Sequence, residues 1–425
     1  MCRPVVEDDE GARAAAEAVA RRSYGRLLAY LTARTRDVAG AEDALADAFA
    51  TALVEWPRRG VPDRPEAWLA TVGRRKLVDA ARRRGHRDAS VGHLRLIADE
   101  LDEAAQRQEE IPDERLSLMF ACAHPAMDRG VRAPLILQTI LGFDAGTIAS
   151  AFLTGPTAMG QRLVRAKAKI RQAGIPFRVP ERAELGERLE AVLDAIYAAY
   201  AEGWADPAGT DSRRRNLAGE AIWLGRIVAS LLPEEPEALG LLSLMLHTEA
   251  RRTARRDSQG EYVPLAEQDC AGWDGALIDE AEALLLRAAA MGKSGRYQLE
   301  AAVQSAHATR RVTGRTDWQA IVVLYDMLMA ITRSPVVAMN RAVAVAETQG
   351  APTGLVALDD AASDARLTDY QPYWAARAGL LTRMGETDGA AQAYQRAIGL
   401  EADPAVRRFL QRRCAAVLER VGRQA

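Results

Sequence analysis

The chain has 425 residues, of which 48% are hydrophobic and 27% charged, and its formal net charge is −2. This length exceeds one small core and predicts two to four domains. Cys2, Cys122, Cys270 and Cys414 form no CxxC pair, so we expect reduced thiols and no metal site. Residues 1–20 lack a signal-peptide core, and no apolar run reaches the roughly 18–20 residues that span a bilayer. We therefore expect a cytoplasmic, membrane-free protein, with helix favoured nearly everywhere because β-branched runs are rare.

Three amphipathic helices are predicted in residues 1–86. The first covers about residues 10–30, and the second covers residues 39–56. The apolar stripe of the second helix has four members: Leu45, Phe49, Ala52 and Leu53. We expect Pro57 and Gly60 to end this helix and Pro65 to begin the third, whose end is strongly basic. We interpret Trp68 as a core residue rather than a platform for stacked bases, because apolar positions continue its surface.

Two segments of these helices resemble a known family. AEDALADAF at 41–49, followed about twenty residues later by PEAWLATVGRRKLVDAARRR at 65–84, is similar to conserved region 2 of sigma-70 factors. The likeness is to the extracytoplasmic-function sigma factors of bacterial RNA polymerase, whose pattern runs roughly AEDxxQExF and then AWLxxxxRNxxxDxxR. The chain departs from that pattern at Ala46, where glutamine is usual, at Asp47, where glutamate is usual, and at Arg75, where asparagine is usual.

The resemblance implies that the acidic second helix docks on the clamp helices of the polymerase largest subunit. Four residues would contribute to that contact: Glu42, Asp43, Asp47 and Phe49. Without the resemblance, the same pattern describes a solvated acidic face over a packed phenylalanine. The loop at 56–65 and the third helix would capture the melted strand of the −10 element, with cations on the backbone. The candidate DNA contacts are seven residues: Arg58, Arg59, Arg74, Arg75, Lys76, Arg82 and Arg83.

Residues 87–110 change from basic to acidic and carry a weak helical pattern, so we interpret them as a linker. In related sigma factors the corresponding linker passes through the polymerase cleft. An ordinary solvated spacer has the same composition, and the sequence leaves both interpretations open.

Residues 111–180 contain a second pattern that is typical of DNA binding. Asp144 can cap a short helix, Thr154-Gly155-Pro156 stops it, and a second helix follows. That helix is expected to bury four residues at helical spacing: Met159, Leu163, Ala166 and Ile170. A helix-turn-helix with a basic second helix fits a DNA major groove, whereas the alternative is an ordinary helical hairpin with a solvated basic face.

The segment resembles sigma region 4, which reads the −35 element. Base and phosphate contacts are expected from the second helix: Thr157, Gln161, Arg162, Arg165, Lys167, Lys169 and Arg171. Cys122 and His124 are too few for a metal site. The sequence here also looks like a subgroup of sigma factors with a large helical extension after region 4.

Residues 181–425 form a succession of amphipathic helices, broken at Pro233–Pro236. Six residues near the end have the spacing of a tetratricopeptide unit, apart from a late proline: Trp374, Gly385, Ala390, Tyr394, Ala397 and Pro404. MGKSG at 291–295 lacks the earlier glycine and strand of a phosphate loop. No grouping of residues indicates nucleophilic catalysis, so we expect no enzyme and no cofactor.

The sequence therefore predicts an all-α protein with three parts: a sigma region 2 bundle, a region 4 helix-turn-helix and a C-terminal repeat-like domain. We expect a transcription initiation factor whose partners are core RNA polymerase and promoter DNA. The C-terminal domain is expected to regulate it through an intramolecular or protein partner. The alternatives are a helix-turn-helix regulator that does not recruit polymerase, and an interaction scaffold whose basic helices are only solvated faces.

Overall fold

The computed structural model describes residues 5–84, 113–151, 154–204, 217–362 and 364–422. Helices make up most of these ranges, and the prediction of an all-α chain is confirmed. The β-type pairing found within them is one isolated antiparallel bridge between Arg256 and Tyr262. None of the described helices has the length and apolar character that crossing a membrane requires. The predicted linker at 87–110 lies outside the described residues.

The chain divides into two compact units. Unit 1 comprises Met1–Gly203 and Asp211–Ala221, and unit 2 comprises Trp204–Thr210 and Ile222–Ala425. Both predicted DNA-facing segments, 1–86 and 111–180, therefore fall in the same unit. The boundary of unit 2 also lies beyond the expected start of the C-terminal domain at 181.

The long first helix organises unit 1. The helices that belong mainly to this unit are α1 (Val5–Thr35), α2 (Val38–Arg59), α3 (Pro65–Arg84), α4 (Arg115–Cys122), α5 (Arg129–Leu141), α6 (Ala145–Ala151), α7 (Pro156–Gln172) and α8 (Arg182–Trp204). Helix α1 is central, because α2, α3, α4 and α5 all pack against it. Leu27 and Leu28 of α1, Leu45 of α2, Leu69 of α3 and Phe120 of α4 are fully buried in the core.

The remaining helices follow α8. They are α9 (Leu217–Leu231), α10 (Pro236–Glu249), α11 (Gly275–Ala290), α12 (Arg296–Ala308), α13 (Arg310–Thr313), α14 (Trp318–Thr332), α15 (Pro335–Gln349), α16 (Ala351–Ala361), α17 (Gln371–Met384), α18 (Thr387–Leu400) and α19 (Pro404–Gly422). From α14 onward, each helix packs against the next along the chain. The predicted break at Pro233–Pro236 is confirmed, since α9 ends at Leu231 and α10 begins at Pro236.

Two predictions about α2 are wrong, although its start is capped as a helix requires. Asp37 caps its start by accepting a hydrogen bond from the Gly40 amide at 3.0 Å. Pro57 does not end the helix, which continues to Arg59 and stops at Gly60, where φ is 83°. Proline in the last turn costs one backbone hydrogen bond, and the glycine supplies the conformation that closes the end. Leu53, expected on the apolar stripe, is instead exposed.

The paired helices α17 and α18 contain the tetratricopeptide-like spacing. Gly385 ends α17 in the left-handed conformation with φ 79°, and its amide bonds back to Leu381 and Thr382 carbonyls. Ala378, Ala390, Tyr394 and Ala397 are buried in one cluster that α19 completes through Leu410 and Cys414. Small residues let the helices approach closely, and the glycine permits the tight turn between them.

Candidate functional site

The acidic side of α2 is solvent-facing along most of its length. Its buried side is formed by small and apolar residues: Val38, Ala41, Ala44, Leu45, Ala48, Ala52 and Trp56. Of the four predicted polymerase contacts, Asp43 and Asp47 are exposed, whereas Glu42 and Phe49 are half-buried. The helical period separates these two faces, so α2 anchors in the core and still presents carboxylates outward.

The predicted −10 contacts differ in their accessibility. Arg58 and Arg59 are exposed at the end of α2, where Arg59 lies 3.3 Å from Glu55 one turn earlier. On α3, Arg75 is exposed and Lys76 half-buried, but Arg74 is only 7% exposed. Arg74 therefore does not present its guanidinium to solvent in this conformation. Arg82 and Arg83 belong to the last turn of α3, and their side chains lie outside the part of the chain that the structure describes.

Trp68 lies half-buried near the start of α3. Its ring meets that of the buried Trp56 edge to face, with centroids 5.5 Å apart and planes inclined by 64°. The pair ties α3 to the last turns of α2, where Arg58 and Arg59 lie. The expectation that Trp68 packs in the core is thus met on one side of its ring.

The starts of α6 and α7 and the buried side of α7 are as the sequence predicts. Asp144 accepts hydrogen bonds from the amides of Gly146 at 2.8 Å and Thr147 at 3.0 Å, and these bonds cap α6. The same bonds hold the pKa of Asp144 below its usual value. Gly155 is extended at the start of α7, and Pro156 occupies its first turn. The buried side of α7 consists of the predicted residues: Met159, Leu163, Ala166 and Ile170.

The predicted −35 contacts spread over the other sides of α7. Thr157, Gln161, Arg165 and Lys169 are exposed, while Arg162 and Lys167 are half-buried. Arg162 reaches Asp128, which caps α5, at 3.5 Å. A cation held this way is positioned close to the start of α7, where a DNA-reading helix makes its base contacts.

The least expected feature of unit 1 is a direct contact between α2 and α7. The ammonium of Lys167 donates to Glu42 Oε2 at 2.6 Å, and the two side chains are only 12% and 18% exposed. Arg171, one turn further along α7, pairs with Asp37 at 3.3 Å. A predicted DNA contact thus binds a predicted polymerase contact. No local signal indicates this pairing, because the partners lie 125 residues apart.

The surroundings of Glu42 are desolvated. Burial raises the pKa of Glu42 above its usual value, and the bond from Lys167 offsets only part of that effect. Burial and the nearby Glu42 carboxylate raise the pKa of Tyr24 to about 12. A cavity of about 800 Å³ opens beside them, lined by residues of α1, α2, α5 and α7 together with the loop before α6. Glu42 and Lys167 both line this cavity.

Close backbone packing accompanies the ion pairs. A Cβ on Gly25 of α1 would overlap the carbonyl oxygen of Ile140 in α5, so only glycine permits this approach. In contrast, Gly11 on the same helix has nothing within 4 Å of a Cβ position. The sequence alone does not single out Gly25, because a glycine within a helical pattern gives no sign of which neighbour requires it.

Cys122 is the last residue of α4, and His124 follows two residues later. Cys122 is fully buried, its thiol lies 3.7 Å from the Thr139 hydroxyl, and burial raises its pKa to about 12. Among the described residues, no group of three or more histidine, cysteine or acidic side chains is arranged to hold a metal ion. Cys122 is a packed core residue of α4.

Two buried arginines also contribute to unit 1. Arg132 donates to the Met127 carbonyl from Nε at 3.1 Å and from Nη2 at 3.0 Å. These two bonds close the loop before α5. Arg188 of α8 is 3% exposed and donates to the Phe120 carbonyl at 2.7 Å. Helix α8, which the sequence assigned to the C-terminal domain, is therefore bonded to the end of α4.

Unit 2 contains a second polar cluster, around the loop between α10 and α11. Arg310 donates to the carbonyls of Leu265 at 3.0 Å, Ala266 at 3.2 Å and Gln268 at 2.7 Å, and lies 5.2 Å from the Trp273 ring centroid. The segment 262–269 is thereby held by one guanidinium. These contacts are those of a structural clamp.

Comparisons with known proteins identify two regions of the chain. Residues 19–87 match the sigma-70 region 2 family, and residues 188–289 match a family of unknown function, DUF6596. The chain is 37% identical over 383 residues to an uncharacterised protein of Rhizobium meliloti (strain 1021), and the match covers 89% of each chain. No solved structure matches the chain.

Proposed function

We propose that the chain, which belongs to one family with the Rhizobium meliloti protein and matches sigma-70 region 2 at residues 19–87, binds core RNA polymerase and directs it to specific promoters. The observation that carries this proposal is the region 2 match, which spans most of α1 together with all of α2 and α3. An ordinary DNA-binding regulator has no need of this region.

On α2, Asp43 and Asp47 support the polymerase contact because they are exposed above a packed helix face. Rim charges of this kind steer association and add modest affinity. On the DNA side, Arg58, Arg59 and Arg75 are the accessible cations of the proposed −10 contact. Thr157, Gln161, Arg165 and Lys169 are the accessible residues of the proposed −35 contact on α7.

The C-terminal part is proposed to regulate this activity. The subgroup that the sequence resembles carries a helical extension after region 4, and unit 2 is a separate set of packed helices. Contact with the promoter-binding helices would make it inhibitory, whereas contact with polymerase would make it activating. Its tetratricopeptide-like end offers the kind of stacked surface that binds partners in helical repeat proteins.

The proposal is tested by transcription with purified components. The full chain is added to bacterial core polymerase and a template that carries the promoters next to its own gene. We expect transcripts with a defined start. Asp47→Arg should weaken core binding by about tenfold through charge reversal on an exposed contact. Glu10→Arg, an equal charge change on the exposed side of α1, serves as the control and should leave binding unchanged. A chain that binds promoter DNA, but neither binds core polymerase nor gives transcripts with a defined start, would instead be a regulator that does not recruit polymerase.

The regulatory role requires a truncation, and the structure sets its position. A cut at residue 180 would remove Arg188 from the Phe120 carbonyl, so the shortened chain should keep α8 and the whole of α9 and end after Leu231. Circular dichroism would first show that the shortened chain is helical. A rise in transcription would assign an inhibitory role to unit 2, and a fall would assign an activating one. Unchanged transcription would contradict regulation by unit 2.

A further inference from the structure

The contact between α2 and α7 joins two surfaces that the proposed function uses separately. We propose that it is a closed state of the free chain, in which α7 covers part of the polymerase-binding side of α2, and that core polymerase opens it on binding. This inference rests on the proposed function and adds to it a regulatory contact inside unit 1. We call the contact the α2–α7 latch, defined by Glu42 with Lys167 and Asp37 with Arg171.

While Glu42 and Lys167 are paired, Glu42 is not free for its proposed polymerase contact and Lys167 is not free for its proposed DNA contact. Lys167 lies 2.6 Å from Glu42 Oε2, so a polymerase cation would have to compete with the Lys167 ammonium for that oxygen. The same ammonium cannot reach a DNA phosphate while it is held on α2 and only 12% exposed. Opening the latch would therefore release a polymerase contact and a DNA contact together.

The second pair extends the latch along both helices. Lys167 and Arg171 are four residues apart and so lie on one side of α7. Their partners, Asp37 and Glu42, lie at the N-terminal end of α2, where Asp37 is also the helix cap. Asp43 and Asp47 remain exposed in this state, so polymerase can make a first contact with α2 before the latch opens.

The latch is built to be reversible. Removing two charges from water costs nearly as much as their attraction returns, so a half-buried ion pair adds little net stability. The pKa of Glu42 stays raised despite Lys167, which indicates that desolvation of the carboxylate outweighs the attraction. A partner that offers Glu42 another cation can therefore replace Lys167 at a small cost in free energy.

Backbone packing between α1 and α5 gives a means of opening the latch without altering its charged residues. An alanine at Gly25 would place its Cβ against the Ile140 carbonyl, forcing α1 and α5 apart. Gly11→Ala adds the same methyl group to the same helix in open space and is the matched control. Gly25 is not among the residues proposed to contact polymerase or DNA.

A zero-length carbodiimide cross-link tests the latch directly, because it joins a carboxylate to an amine only when they touch. In the full-length free chain, mass spectrometry should find Glu42 linked to Lys167, and Glu42 should not link to the exposed Lys169. In Gly25→Ala the yield should fall about tenfold, since the added Cβ would overlap the Ile140 carbonyl and force α1 and α5 apart. Gly11→Ala should retain the wild-type yield. Saturating core polymerase should also reduce the yield about tenfold.

Failure of the latch and failure of the proposed function give different results. No Glu42–Lys167 link in the free chain, or full yield in a chain shown to be bound to polymerase, would overturn the latch and leave the sigma function standing. A chain that never binds polymerase contradicts the proposed function, and the comparison of Gly25→Ala with Gly11→Ala still decides whether the closed state exists. If Gly25→Ala does not fold, Arg171→Gln provides a second opening variant whose link yield should fall severalfold, and an unchanged yield would count against the latch.

Discussion

The latch predicts an asymmetry between its two central residues. At 2.6 Å, two unit charges attract by about 6 kcal/mol in a medium of effective dielectric constant about 20. The raised pKa of Glu42 indicates that desolvation consumes that attraction, so the pair is close to neutral overall. Lys167→Met would leave a buried carboxylate without its cation, whereas Glu42→Gln would leave Lys167 a neutral amide oxygen that still accepts its hydrogen bond.

We therefore expect Lys167→Met to lower the free energy of opening α7 by about 1–3 kcal/mol, less than for a fully buried pair. Glu42→Gln should change it by less than about 1 kcal/mol. Native-state hydrogen exchange on peptides from α7 measures this quantity separately from unit 2. Asp47→Asn, which removes an exposed carboxylate from the same helix, is the control and should have no effect.

The pH dependence of the Lys167→Met penalty has a definite sign. A carboxyl group whose folded pKa is raised contributes stability below its unfolded pKa, and this contribution disappears as the pH rises through the folded pKa. Without Lys167, the pKa of Glu42 should rise further, since Asp43 and burial would then act unopposed. The penalty of Lys167→Met should therefore shrink as the pH falls from about 7.5 to 5. Two results would refute this reasoning. One is a larger loss of opening free energy for Glu42→Gln than for Lys167→Met, and the other is a Lys167→Met penalty that does not change with pH.

Four further substitutions have defined outcomes. Gly11→Ala should stabilise α1 by up to about 1 kcal/mol and Gly25→Ala should destabilise unit 1, as measured by urea unfolding; equal effects would contradict the close approach at Gly25. Burial lowers the pKa of His247 and His307 in unit 2 from 6.5 to about 4, so unit 2 should lose stability as the pH falls from 6.5 to 4. His247→Leu should reduce that loss in thermal melts, and an unchanged pH dependence would argue against a buried neutral imidazole. Arg310→Met should leave three carbonyls of the segment 262–269 without their donor and increase hydrogen exchange there, whereas protection equal to wild type would contradict the clamp.

The sequence predicted what depends on local patterns. The spacing of Met159, Leu163, Ala166 and Ile170 fixes the buried side of α7, because a helix turns by a constant angle per residue. The cap at Asp144 followed from its short side chain, which reaches the amides of the next turn. The position of Pro57 was misjudged because a proline within the last turn loses only one bond and can be tolerated.

Local patterns could not predict contacts between distant segments of the chain. Nothing in the composition of α2 or α7 selects Lys167 rather than Lys169 as the partner of Glu42. That pairing joins residues 125 positions apart and depends on how α2 and α7 pack together. Arg74 shows the same limit, because the basic run suggested a surface residue while the packing of α3 buries it. Tertiary packing decides these positions, and periodicity alone does not contain that information.

Recruitment of core polymerase to promoters is the central claim. The most direct measurement is transcription from a defined template by core polymerase with the full-length protein, compared with core polymerase alone. A protein with this function should give a transcript with a unique start site that requires the protein and is weakened by Asp47→Arg. Absence of such a transcript, together with no binding to core polymerase, would contradict the claim.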